Sequence, residues 1–312
     1  MSGSPAVPPS GVWCPAVTMF NPDTDRLDTK SQAQYYRYLS ETGLAGLVIL
    51  GTNAETFLLT REERRELVSL ARKVCRPGFP IMAGVGGHST RQVLEFIKDA
   101  DAAGANYVLV LPPAYFGKAT TPAVVDAFFA DVSAASPLPI VIYNFPGVCN
   151  GLDLDSTTIQ ALAERHENIV GVKLTCGSVA KITRLAAVFP PERFAVFGGQ
   201  SDFLIGGLAV GSAGCIAAFA NVMPEVLVQI YGEYLKGNTK GALELHRKAA
   251  LAEQAVKSGI AAVKYAVSLS TALLADIPNA REKLLPRRPY LPPSEEERRK
   301  IAEALIRAGQ SW

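Results

Sequence analysis

Histidine and cysteine are scarce in this chain: three of one and five of the other in 312 residues. His88, His166 and His246 lie far apart with no ligand-like neighbours, and Cys14, Cys75, Cys149, Cys176 and Cys215 are odd in number and show no CxxC spacing. A zinc site and a disulfide framework are therefore both unexpected, and a reducing compartment is expected. An excess of one charge is lacking too, with 31 basic against 29 acidic residues and a net charge of +2. That balance offers no field for a polyanion, so neither nucleic acid nor an acidic membrane is an expected partner. The first ten residues, MSGSPAVPPS, have neither the basic-plus-apolar pattern of a secretory signal nor the arginines of a mitochondrial leader, and the cytoplasm is the expected location. The uncharged stretch from Phe203 to Asn221 approaches membrane-spanning length, but its glycines and the change of pattern at Ser212 to Gly214 fit a buried helix followed by a buried strand.

What the chain has is apolar content, 48% of its residues, arranged as short runs separated by helical pattern. Candidate strands are Val12 to Phe20, Gly46 to Gly51, Pro80 to Val85, Tyr107 to Leu111, Pro139 to Phe145, Ile169 to Thr175, Phe194 to Phe197 and Gly214 to Phe219. Between them fall candidate helices such as Arg61 to Val74, for which Thr60 and Glu63 supply a capping box. Short strands that are apolar on both faces and alternate with helices imply parallel pairing under a helical cover, and eight such units match a (β/α)₈ TIM barrel. An open doubly wound sheet would place a Gly-rich loop after the first strand, where Asn21-Pro22-Asp23 stands instead. The segments Gly241 to Val256, Ile260 to Leu274 and Pro293 to Ala308 read as helices of a C-terminal extension. The expected organisation is a flexible leader over 1–11, the barrel over 12–238 and the helical extension over 239–312.

Barrel active sites lie at the C-terminal ends of the strands. Lys173 and Tyr143 interrupt two apolar runs there, GVKLT and YNF. Burial disfavours an ammonium's charge, which makes Lys173 a candidate amine nucleophile, and a phenol on the adjacent strand is a workable proton relay. Counting by two, Gly171 and Ile169 share the face of Lys173, and Val141 shares that of Tyr143. Gly51-Thr52-Asn53-Ala54-Glu55 offers hydroxyl, amide and turn N–H groups to a carboxylate. The bland readings are a snorkelling lysine, a core tyrosine and an ordinary turn with a helix cap. Gly84-Val85-Gly86-Gly87 and Gly198-Gly199 fit no phosphate-loop pattern, and Cys149 and Cys176 read as packed thiols. Lys264, in the apolar AAVKYAV helix, is a rival buried lysine read as structural and off the barrel mouth.

The motifs GTNAE, PPAYF, YNFPG, GVKLT and GCIAAFAN, in this order at these strand ends, resemble the pyruvate-dependent class I aldolases of the dihydrodipicolinate synthase and N-acetylneuraminate lyase superfamily. The resemblance spans most of the chain and implies the same barrel with a helical extension. It implies Lys173 as the Schiff-base lysine, Tyr143 as the proton relay, and Thr52 and Asn53, with Gly51, as binders of the pyruvyl carboxylate. Tyr115 is similar to the tyrosine that completes the relay across a subunit contact, and Ile216 to the residue whose carbonyl faces the site. No metal or organic cofactor is implied; the partners are a small keto acid and an aldehyde, in a tetramer or dimer.

One departure bears on the substrate. Dihydrodipicolinate synthases carry an arginine two residues after the proline of their YNxP motif, and here that place is Val148, with no basic residue from Tyr143 to Glu164. A bound carboxylate there would lack a partner. The runs YNFPGVCNG and GVKLTCG resemble most the fungal L-threo-3-deoxy-hexulosonate aldolases, whose neutral hydroxylated product suits Asn150, Thr175 and an uncharged pocket. The expected activity is cleavage of a 2-keto-3-deoxy-sugar acid to pyruvate and an aldehyde. The alternatives are 4-hydroxy-2-oxoglutarate aldolase, 4-hydroxy-tetrahydrodipicolinate synthase, and a keto-acid sensor or scaffold without turnover.

Overall fold

The eight apolar runs form one closed, all-parallel barrel in chain order, seen in a computed structural model that describes residues 5–309. Its strands are β1 (Gly11–Pro15), β2 (Gly46–Ile49), β3 (Ile81–Gly84), β4 (Tyr107–Val110), β5 (Ile140–Asn144), β6 (Ile169–Leu174), β7 (Ala195–Gly198) and β8 (Gly214–Ile216), every residue buried. The outer ring is α1 (Thr29–Glu41), α2 (Arg61–Val74), α3 (Thr90–Ala102), α4 (Pro122–Ala135), α5 (Ser156–Arg165), α6 (Val179–Val188), the short α7 (Leu204–Leu208) and α8 (Pro224–Leu235). The Thr60–Glu63 capping box opens α2 as its sequence demands. After the barrel come α9 (Thr239–Gln254), α10 (Ile260–Ser268), α11 (Thr271–Leu274), α12 (Ala280–Lys283) and α13 (Glu295–Arg307). Residues 1–4 of the expected leader and 310–312 of the expected extension lie outside the described residues.

Alternation along each strand sorts side chains into two layers. Trp13, Val48, Met82, Leu109, Val141, Phe197 and Ile216 fill the barrel, while Cys14, Ile49, Val108, Ile142 and Val196 pack outward under the helices. Trp13 is the largest interior group, edge-on to Tyr107 and Phe197 at 6.2 Å each. A side chain at Gly46 would come within 2.3 Å of the Trp13 ring, so only glycine fits opposite it. Pairing of β1 with β8 closes the barrel, and Asn221, in the turn after β8, ties down the chain that leaves β1. Its amide accepts from Val17 N–H at 3.1 Å and donates to the Pro15 and Ala218 carbonyls, and its side chain is wholly buried.

The eighth strand stops at Ile216 rather than Phe219, because the chain turns into the 3₁₀ segment Ala218–Asn221, with Ala220 N–H donating to the Ala217 carbonyl, and three further elements differ from the sequence expectation. The first strand stops at Pro15 rather than Phe20, because Asn221 and Gln32 side chains take the Val17 and Met19 N–H groups that a ladder would use. The helix expected over Ile260 to Leu274 breaks at Ser270, whose hydroxyl donates to the Ala266 carbonyl. The β5–β6 register shifts between Ile140 and Val141, which pair with Ile169 and Gly171. Val170 is left over by that bulge and turns inward, and Ile169 packs in the outer layer instead of sharing the face of Lys173.

Candidate active site

Lys173 and Tyr143 are register partners on β6 and β5. Both point inward near the strand ends, 2% and 4% exposed, and Lys173 Nζ lies 4.2 Å from the Tyr143 ring centroid. Among the described residues Lys173 makes no hydrogen bond or ion pair. The Tyr143 hydroxyl is 3.3 Å from Thr52 Oγ1, with either group able to donate. Thr52 and Asn53 sit on a single 3₁₀ turn, Thr52–Ala54, closed by Ala54 N–H donating to Gly51 O at 3.0 Å.

These four residues line one cavity of about 620 Å³, together with Thr175, Gln200, Val148, Glu253, Lys257 and others from the barrel mouth and the extension. The Thr175 hydroxyl is buried there without a hydrogen-bond partner among the described residues. Gly199 makes room for it, since a Cβ at that position would fall 2.1 Å from Thr175 Oγ1. Gly51 and Ile216 do not line the cavity: one anchors the turn, and the other sits in the barrel interior beside β1. Tyr115 is 70% exposed and joins an outward aromatic cluster with His88 at 5.5 Å and Phe116 at 5.3 Å. Within one chain the fold therefore does not bring Tyr115 to Tyr143. Asn150 is also absent from the lining; its amide donates to the Ala114 carbonyl and ties down the loop after β4.

The extension contributes more than its sequence foretold. Lys264, expected off the barrel mouth, reaches Glu55 at the end of the GTNAE turn, with Nζ 2.5 Å from Oε1 and both side chains essentially unexposed. Glu55 holds a left-handed backbone, φ 56° and ψ 38°, and its second oxygen accepts from Arg287 N–H at 2.7 Å. The Arg287 guanidinium spans onward to Glu63 at 2.6 Å. Burial presses the Lys264 pKa down while Glu55 opposes that shift. The uncharged pocket expected beside Val148 is corrected by Lys257, which enters from the linker between α9 and α10. Its signal was invisible along the strands because it lies about forty residues beyond the last of them in sequence.

Glu253 is 3% exposed and accepts from Ser201 Oγ at 2.6 Å and from Ser201 N–H at 3.2 Å. Burial raises its carboxyl above the usual 4.5. The folded state then holds a proton that the unfolded state has already lost, so this group's contribution falls as pH rises above 4.5. Glu253→Gln should raise Tm more at pH 8 than at pH 4.5, measured by thermal melts at both. Among the thiols near the site, burial pushes Cys149 up to about 11, which suits a packed group.

The chain matches the dihydrodipicolinate synthetase family over residues 8–308. It is similar to a Coccidioides immitis (strain RS) protein named as a mitochondrial 4-hydroxy-2-oxoglutarate aldolase, 66% identical over 98% of this chain and 99% of that one. A Hypocrea jecorina L-threo-3-deoxy-hexylosonate aldolase is 37% identical over 83% of this chain and 86% of its own. A crystallised dihydrodipicolinate synthase family protein from Coccidioides immitis superimposes with a TM-score of 0.91 at 61% identity, covering 98% of this chain and 99% of that one. The cytoplasmic expectation is overturned by the mitochondrial relative. The cysteine pattern that led to the cytoplasm does not separate the cytosol from another reducing compartment. Sequence match, barrel and site geometry agree: the chain belongs to the dihydrodipicolinate synthetase family, and it is a carbon–carbon lyase.

Proposed function

We infer that the protein is a Schiff-base aldolase that cleaves a 4-hydroxy-2-keto acid, of the 2-keto-3-deoxy-sugar-acid class, to pyruvate and an aldehyde. The observation that carries this reading is the buried Lys173 beside Tyr143, with Tyr143 in turn beside Thr52. The substrate carboxylate sits on the Thr52–Asn53 turn, which leaves its C2 carbonyl to the amine of Lys173. Attack and loss of water give an iminium, an electron sink for breaking the C3–C4 bond. Tyr143 takes the proton from the C4 hydroxyl as the aldehyde departs. The enamine left on Lys173 is protonated at C3 and hydrolysed to pyruvate, restoring the amine. All of this is covalent chemistry on the lysine, with no metal or organic cofactor given a step.

The exposed aromatic cluster of Phe57, His88, Tyr115 and Phe116 supports a contact between subunits. There Tyr115 would extend the relay into a second copy of the chain, consistent with a dimer or tetramer. A second reading, 4-hydroxy-2-oxoglutarate as substrate, is favoured by the 66% identical relative. Both substrates share the same cleavage chemistry. Release of pyruvate from L-threo-3-deoxy-hexulosonate, followed by a coupled assay, tests the main reading; no release from either substrate would sink it. Tyr143→Phe should lower kcat by about 10²- to 10⁴-fold while the lysine still forms its adduct, because a proton relay is lost and the nucleophile kept.

A further inference from the structure

Beyond Lys173 and the Thr52–Asn53 turn, the cavity continues to groups that follow β6 and β7 and to the linker between α9 and α10. Among the described residues, two cationic side chains line the cavity, Lys173 and Lys257. Lys257 Nζ donates to Gln200 Oε1 at 3.1 Å and to the Asp202 carboxylate. Gln200 and Lys257 belong to the lining, whereas Asp202, which Lys257 meets, does not. Gln200 follows β7, and the unpartnered Thr175 hydroxyl follows β6, so these groups stand over the same two adjacent strands that position Lys173.

This is a mixed set of donors and acceptors with its charge already compensated. The Lys257 ammonium keeps one hydrogen beyond its two bonds, Gln200 keeps its NH₂ group, and Thr175 can both donate and accept. Vicinal hydroxyls need both kinds of partner at once. A second carboxylate would have to draw Lys257 away from Asp202, or lie beside a neutral pair and be repelled by Asp202. Glu253, also in the lining, adds no positive charge.

We propose that Lys257, Gln200 and Thr175 form the subsite for the substrate tail, that this subsite takes a neutral hydroxylated chain, and that Asp202 sets this specificity by holding the charge of Lys257. The assignment rests on the aldolase reading above. Asp202 is a positioning residue, and Lys257 determines specificity.

The test is a comparison of kcat/KM for L-threo-3-deoxy-hexulosonate and 4-hydroxy-2-oxoglutarate in the wild type, Asp202→Asn and Lys257→Met, with borohydride trapping of pyruvate as a parallel measurement. The wild type should prefer the neutral-tailed substrate. Asp202→Asn, which frees the lysine, should shift the ratio toward the dicarboxylate by about tenfold, and Lys257→Met should shift it the opposite way. A merely structural pair would move both substrates by the same factor. Equal changes for the two substrates, or a wild-type preference for the dicarboxylate, would overturn the assignment while a trapped adduct still upheld the aldolase reading. Absence of any pyruvate adduct in the wild type would overturn both.

Discussion

Lys173→Ala should lose roughly 10⁴-fold or more in kcat, the scale of loss when a covalent nucleophile is removed from a group that acts as a unit. The reason is specific to the chemistry. No neighbouring residue can replace the iminium as the sink for the C3–C4 electrons, and Tyr143 and Thr52 alone can only hold the substrate. Lys173→Arg should fail just as fully, since a guanidinium stays protonated and cannot attack a carbonyl. Stability should move little or upward in Lys173→Ala, because the amine has no hydrogen bond or ion pair among the described residues to lose and is 2% exposed. Steady-state kinetics and thermal melts on the same preparations check both halves. A variant that melts normally yet keeps a tenth of the wild-type rate would contradict the assignment of Lys173 as nucleophile.

The largest effect on stability is expected at the other buried lysine. Lys264→Met leaves the carboxylate of Glu55 buried with only the Arg287 N–H as a close partner. Removing one member of a buried pair costs about 3–5 kcal/mol, mainly through the charge left behind. The consequence reaches the site because Glu55 ends the turn that carries Thr52 and Asn53. Loosening that turn should raise KM for the keto acid more than it lowers kcat. Pairing the change with Glu55→Gln removes the stranded charge and should recover part of the lost stability, which chemical denaturation of the two singles and the double would show. A full, additive loss in the double variant would mean that the two residues do not act as a pair.

The barrel was readable from the sequence because its physics is local. Runs such as GLVIL and PIVIY are apolar on both faces, which only a strand covered by helices can tolerate, and the caps and turns between them carry short-range signals such as Thr60 with Glu63. Lys173 and Tyr143 stood out for the same reason, as polar residues in strands that otherwise admit none. Features that depend on distant segments were not readable. The bulge that turns Ile169 outward is a property of the β5–β6 pairing, and no count by two along one strand could reveal it. Lys257 and Glu253 reach the cavity from the extension, and Lys264 meets Glu55 across 209 residues of chain. Tyr115 shows a different limit: the side chain expected at the relay points outward from its own barrel, where only another chain could give it a role.

The proposed chemistry requires a covalent bond between Lys173 Nζ and pyruvate. Incubating the protein with pyruvate, reducing with borohydride and mapping the digested chain by mass spectrometry tests it directly. The predicted result is a single reduced pyruvyl adduct on the peptide carrying Lys173, formed in the wild type and Tyr143→Phe and missing in Lys173→Ala. An unmodified Lys173, or an adduct on Lys257 or Lys264 in its place, would contradict it.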